Sequence, residues 1–172
     1  MREIARRAGV GPATLYRRFP NKQALVNEAF TDELHACQAI VAEGCADPDP
    51  WRGFCAMLIR IGELNARNQG FVDAFMSSFP ESVDFTAHRL GMLQSIGGLA
   101  RRAKAVGKLR DDFVIDDLVL ILMAGRGLTA ATTELRVAAA RRFTALAIAG
   151  FRAGTTQAKL PPVARVAASV IS

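Results

Sequence analysis

The stretch IARRAGVGPATLYRRFPNKQAL, Ile4 to Leu25, decides how the chain reads. It predicts two short helices, Arg2 to Ala8 and Pro12 to Phe19, with Gly9 at the break and Pro20 ending the second. A tight turn wants a residue that tolerates positive φ, and Gly9 supplies it. Helices that meet closely need a small side chain at the contact, and Ala5 lies one turn ahead of Gly9. Leu15 and Phe19, four apart, stack on one face and anchor the second helix inward. At about 100° per residue, Ala13 and Arg17 then face outward, flanked by Thr14 and Tyr16. Gly11 and Pro12 start that helix without a side-chain cap.

The outer face is therefore small at its beginning and polar or cationic further along. That suits close approach to base edges, with hydroxyls and a guanidinium reaching bases or phosphates. It is the layout of a helix-turn-helix, whose first helix crosses the DNA backbone and whose second enters the major groove. Lys22 opens the next helix, where free backbone amides also favour a phosphate. An ordinary helical hairpin with a solvated basic face would share the glycine and the alanine. The joint pattern of Ala5, Gly9, Leu15, Tyr16, Phe19 and Lys22 favours the DNA reader.

Charge placement points the same way. The 172 residues carry a net charge of +6. Residues 1–22 hold six basic side chains against Glu3 alone, which leaves +5 there. The other 150 residues carry 16 basic and 15 acidic groups, only +1. A basic end on a nearly neutral body is the footprint of phosphate contact.

Further along, breakers divide the chain into helices. Asn21 caps a long helix to about Glu43, with Pro20 and Leu25 as a hydrophobic staple. CADPDP, Cys45 to Pro50, reads as a linker, and Asp49 and Pro50 cap and begin a helix to about Asn68. A short helix is expected over Phe71 to Phe79, stopped by Pro80, and another from about Asp84 to Val106, closed by Gly107. The segment from Ile115 to Gly127 is apolar nearly all round, which predicts burial on more than one side. A last helix, about Thr133 to Ala153, mixes small residues with Leu135, Phe143 and Leu146. The tail from Gly154 is expected to be loose. The longest apolar run, Leu118 to Gly125, is far short of the roughly 20 residues that span a bilayer. No apolar signal segment stands at the N-terminus, so a cytoplasmic protein with no membrane partner is expected.

On Ile4 to Leu25 the chain resembles the TetR family of bacterial transcriptional regulators. The resemblance implies an all-α fold: an N-terminal helix-turn-helix head joined by a long helix to a C-terminal helical bundle that binds a ligand and dimerises. It divides the chain into residues 1–46, 47–154 and a tail, 155–172. Gly11 to Arg18 becomes the recognition segment, and Thr14, Tyr16 and Lys22 gain phosphate or base contacts. The candidate DNA-binding set is thus Gly11, Pro12, Ala13, Thr14, Tyr16, Arg17, Arg18 and Lys22. The words GKLRDDFVIDDLVLILMAG and RRFTALAIAGFRAG, residues 107–125 and 141–154, are similar to the family's last two helices, its usual dimerisation pair. The implied partners are a double-stranded, palindromic operator, a small and largely apolar effector, and a second copy of the chain.

The family also carries a full helix ahead of the position of Met1, which makes the three-helix head incomplete in this sequence. Ile4, Ala8, Leu15 and Phe19 are then expected to lose a packing wall. Met1 reads as an internal methionine or a truncation point. Two functions follow: a ligand-responsive regulator, most naturally a repressor released by its effector, or a dimerising sensor with impaired DNA binding.

The effector pocket is expected among the helices from Trp51 to Met123. Candidate lining residues are Phe54, Leu58, Phe75, Phe79, Phe85, His88, Met92, Ile96 and Met123. Methionine adapts to irregular shapes and aromatic rings suit flat apolar ligands, although such stripes also build ordinary cores. No acid–base pair, nucleophile constellation or glycine-rich phosphate loop stands out, so neither enzyme activity nor a cofactor is expected. Cys37, Cys45 and Cys55 form no CxxC pair and have no histidine at zinc spacing. Cys37 and Cys45 lie about 12 Å apart along one helix, too far for a disulfide.

Overall fold

The computed structural model describes residues 1–70, 83–154, 158 and 160–162. The expected helix from Phe71 to Phe79 lies outside them. Seven helices are described: α1 (Arg2–Arg7), α2 (Pro12–Arg18), α3 (Lys22–Ala46), α4 (Pro50–Arg67), α5 (Val83–Ala105), α6 (Ile115–Gly125) and α7 (Thr133–Phe151). They form two compact units, Met1–His35 and Ala36–Ser172, and the boundary falls inside α3.

Helix ends follow local chemistry. The Asn21 side chain accepts from the Ala24 amide at 2.8 Å, the cap expected for α3. Asp49 accepts from the Trp51 and Arg52 amides, both at 3.0 Å, with Pro50 in the first turn of α4. Thr132 caps α7 through the Leu135 amide at 3.2 Å. Gly107, at φ 67°, closes α5 in the left-handed region that suits glycine. Beyond it an isolated antiparallel bridge joins Leu109 to Arg152. That bridge ties the segment after α5 to the end of α7, with Arg110 N–H donating to the Phe151 carbonyl at 3.0 Å.

In the larger unit the core is built on α4. Phe54, Met57, Leu58 and Ile61 are buried along it at steps of one, three and four. Phe54 stacks on Trp51 at 6.0 Å and meets Phe113 edge-on at 5.5 Å, and Phe113 meets Phe151 at 5.0 Å. These offset and edge-to-face arrangements suit the ring quadrupoles. Glu63 takes the Arg141 guanidinium at 2.6 Å and Arg67 at 3.4 Å, which joins α4 to α7 and holds the Glu63 carboxyl below its ordinary range. Arg102 donates to the carbonyls of Cys45 and Asp47, fastening α5 to the turn between α3 and α4.

One expectation changes. α6 is apolar nearly all round, yet only Leu118 and Val119 are buried, while Leu120 and Met123 are 51% and 37% exposed. On α7, Leu135 and Leu146 are 57% and 60% exposed. Periodicity finds an apolar helix but cannot say whether its second face is covered by the same chain.

The end of α3 and the start of α4 meet backbone to backbone. A Cβ added at Gly53 would lie 2.2 Å from the Gly44 carbonyl oxygen, and one at Gly44 would lie 2.9 Å from Met57 Cβ. Alanine normally gains about 1 kcal/mol over glycine inside a helix. Here the obstacle is backbone, which cannot swing aside, so the overpacking term of about 1–3 kcal/mol wins. Gly53→Ala is therefore expected to lower stability by about 1–3 kcal/mol in urea unfolding; an increase would show that the two helices part freely.

Candidate nucleic-acid interface and ligand cavity

The smaller unit turns on Gly9, whose φ is 67°. Gly9 N–H donates to the Arg6 carbonyl and Val10 N–H to the Ala5 carbonyl at 3.0 Å, so the chain reverses immediately after α1. Ala5 is fully buried at the contact with α2 and Leu15 is 8% exposed, as the spacing implies. Leu15 thus keeps its cover, whereas Ile4 and Phe19 are half-buried and Ala8 is exposed. Gly11 and Pro12 begin α2 with no side-chain cap. All eight candidate DNA-binding residues, Gly11 to Thr14, Tyr16 to Arg18 and Lys22, are exposed.

The charges of this unit are not equally available. Glu3, its sole acid before residue 23, takes Arg6 at 2.6 Å and Arg7 at 3.0 Å. These arginines hold the exposed Glu3 carboxyl below its ordinary range. Arg18 pairs with Glu28 at 2.9 Å and lies over the Phe19 ring at 5.8 Å. Among the described residues, the Thr14 and Tyr16 hydroxyls and the Arg17 guanidinium have no hydrogen-bond or ionic partner. α2 therefore presents two hydroxyls and one uncompensated cation on its outer side. This arrangement can accept or donate hydrogen bonds and neutralise a phosphate.

In the larger unit a cavity of about 290 Å³ lies between α4, α6 and α7. Its apolar wall includes Leu58, Ile121, Leu122 and Phe143, and its polar groups include Asn65, Arg136 and Thr144. Of the residues singled out in sequence, Leu58 lines this cavity. Phe54 is wholly buried and sits in the aromatic cluster with Trp51 and Phe113. His88 and Met92 border a more open hollow beside Val41 and Cys45. Ile96 is buried in α5, and Met123 is partly exposed on α6. Phe75, Phe79 and the side chain of Phe85 lie outside the described residues.

Sequence reasoning passed over Asn65, Arg136 and Thr144. Arg136, Ala140 and Thr144 recur every fourth residue, which places them in one row along α7. The spacing was visible in the sequence, but not the void that this row faces.

Burial pushes the Cys37 and Cys55 thiols up to about 11, and raises Cys45 as well. All three are free and stay protonated near neutrality, which disfavours reactive thiolate chemistry. Among the described residues no group of three His, Cys, Asp or Glu side chains could hold a metal ion. None of the described helices is long and apolar enough to cross a membrane.

Comparison with known proteins bears on both units. Residues 1–29 match the profile described as bacterial regulatory proteins, tetR family. Residues 49–153 match that of the transcriptional regulator SbtR-like C-terminal domain. No curated protein matches the chain. Among solved structures, the TetR transcriptional regulator SCO0520 from Streptomyces coelicolor is 28% identical with a TM-score of 0.58, over 87% of this chain and 85% of that one. The second profile alone covers more than half of the 172 residues, and this chain belongs to the TetR family of bacterial transcriptional regulators.

Proposed function

We propose that this regulator is a repressor that a small molecule releases from its operator. The observation that carries the DNA half is the outer side of α2, where Thr14, Tyr16 and Arg17 are exposed and without partners among the described residues. The ligand half rests on the cavity between α4, α6 and α7. In this reading residues 1–46 form the reading head and its connecting helix, and residues 47–154 bind the effector and pair the subunits. Gly11 to Ala13 let the start of α2 approach the groove, and Tyr16, Arg17, Arg18 and Lys22 reach bases or phosphates. Arg18 would first give up Glu28, an exposed pair worth little in water.

Regulators of this family act as dimers. The exposed Leu120 and Met123 of α6 and Leu135 and Leu146 of α7 support these two helices as the pairing surface here. A two-fold dimer presents its heads symmetrically, which calls for a palindromic operator. Ligand and DNA would each favour a different arrangement of the paired heads. Each then weakens the other's binding by the same factor. α3 is the covalent path between them, since it begins at Lys22 and ends at Ala46 in the larger unit.

Two measurements test this reading. In fluorescence anisotropy on duplex DNA across a salt series, Arg17→Ala is expected to weaken binding and to reduce the log–log salt slope by about 0.9 for each phosphate that is no longer neutralised. An unchanged slope would show that Arg17 neutralises no phosphate. In sedimentation velocity the native chain is expected at twice its 18.5 kDa mass. Leu146→Glu is expected at the single mass, and a native monomer would refute the pairing surface.

A further inference from the structure

The cavity between α4, α6 and α7 has a chemistry more specific than its apolar wall. Thr144 is only 6% exposed and borders it, yet its hydroxyl makes no hydrogen bond among the described residues. Bordering the cavity, that hydroxyl is left to donate to or accept from a bound molecule. At the other end of the same row stands Arg136. Its Nε donates to the Ala66 carbonyl at 2.6 Å and its Nη2 to the Thr133 hydroxyl at 3.1 Å. Both acceptors are neutral, and Nη1 donates to nothing among the described residues. Asn65 adds a carboxamide with no described partner.

The described lining holds Arg126 and Arg136 and no carboxylate. Glu134 acts on Arg136 electrostatically from the first turn of α7, but it is exposed and does not border the cavity. Arg136 and Thr144 are eight residues apart, about 12 Å along the helix. Between them the wall is apolar: Leu58, Ile121, Leu122 and Phe143.

We infer that the cavity takes a small amphiphilic carboxylate, its anionic head at Arg136, its chain along the apolar wall, and a hydrogen-bonding atom near Thr144. The guanidinium suits a carboxylate because it is always charged, and Nη1 is left to donate to a carboxylate oxygen. A volume of about 290 Å³ stands at the small end of ligand sites, which run from about 300 Å³ upward, and suits a small effector. This inference rests on reading the cavity as the effector site, but its test needs no DNA, so it fails or stands separately from operator release.

Isothermal titration with three probes of equal chain length isolates the head group. Octanoate is expected to bind at least tenfold tighter than octanamide, with octylamine weakest. Arg136→Gln abolishes that preference, and Arg136→Lys, which keeps the charge, retains part of it. Thermal melting by circular dichroism checks that each variant is folded. At the far end, 8-hydroxyoctanoate binds more tightly than octanoate to the native chain but not to Thr144→Val. The inference is overturned if octanamide or octylamine binds as well as octanoate, if the preference survives Arg136→Gln, or if none of the probes binds. A hydroxyl effect that persists in Thr144→Val would overturn the assignment of Thr144.

Discussion

The contact between Gly44 and Gly53 sets the spacing on which the larger unit depends. With no side chain on either residue, the end of α3 lies against the start of α4 at backbone distance. α4 can then offer its remaining faces to everything else. Phe54 reaches Phe113, and through it Phe151 at the end of α7. Glu63 takes Arg141, and the Ala66 carbonyl takes Arg136. The cavity opens beside Leu58 and Asn65, where α4 turns from its aromatic end toward its polar end.

The smaller unit solves a different problem, how to expose cations without exposing a weak fold. Its answer is separation by helix. In α1 Arg6 and Arg7 pair with Glu3, while α2 keeps Arg17 and two hydroxyls outward. Leu15 and Ala5 hold the two helices together from inside, and the left-handed backbone at Gly9 lets them meet. Only a short segment is involved, so local signals dominate its reading. The turn residue, the small contact residue and the outward row were all visible in the order of amino acids.

The larger unit was legible in outline and less so in detail. Caps announced themselves: Asn21, Asp49 with Pro50, and Gly107 act within three or four residues of their own position. Phe54 illustrates the limit. An aromatic at helical spacing can border a pocket or fill a core, and the choice depends on Phe113, some sixty positions away. Arg136 and Thr144 escaped notice for the same reason, since their significance comes from facing α4 and α6 across a void. The open side of α6 lay beyond any reading of periodicity, because its cover need not belong to the same chain.

In the proposed mechanism a ligand in the larger unit and DNA on the smaller one oppose each other. The most direct measurement takes the duplex that the protein selects from a random pool and follows its affinity while octanoate is raised to saturation. The expected result is a fall in DNA affinity of about 5–150-fold, the usual range of allosteric coupling, with octanoate affinity reduced by the same factor when DNA is saturating. An operator affinity that stays constant while octanoate fills its site would contradict it.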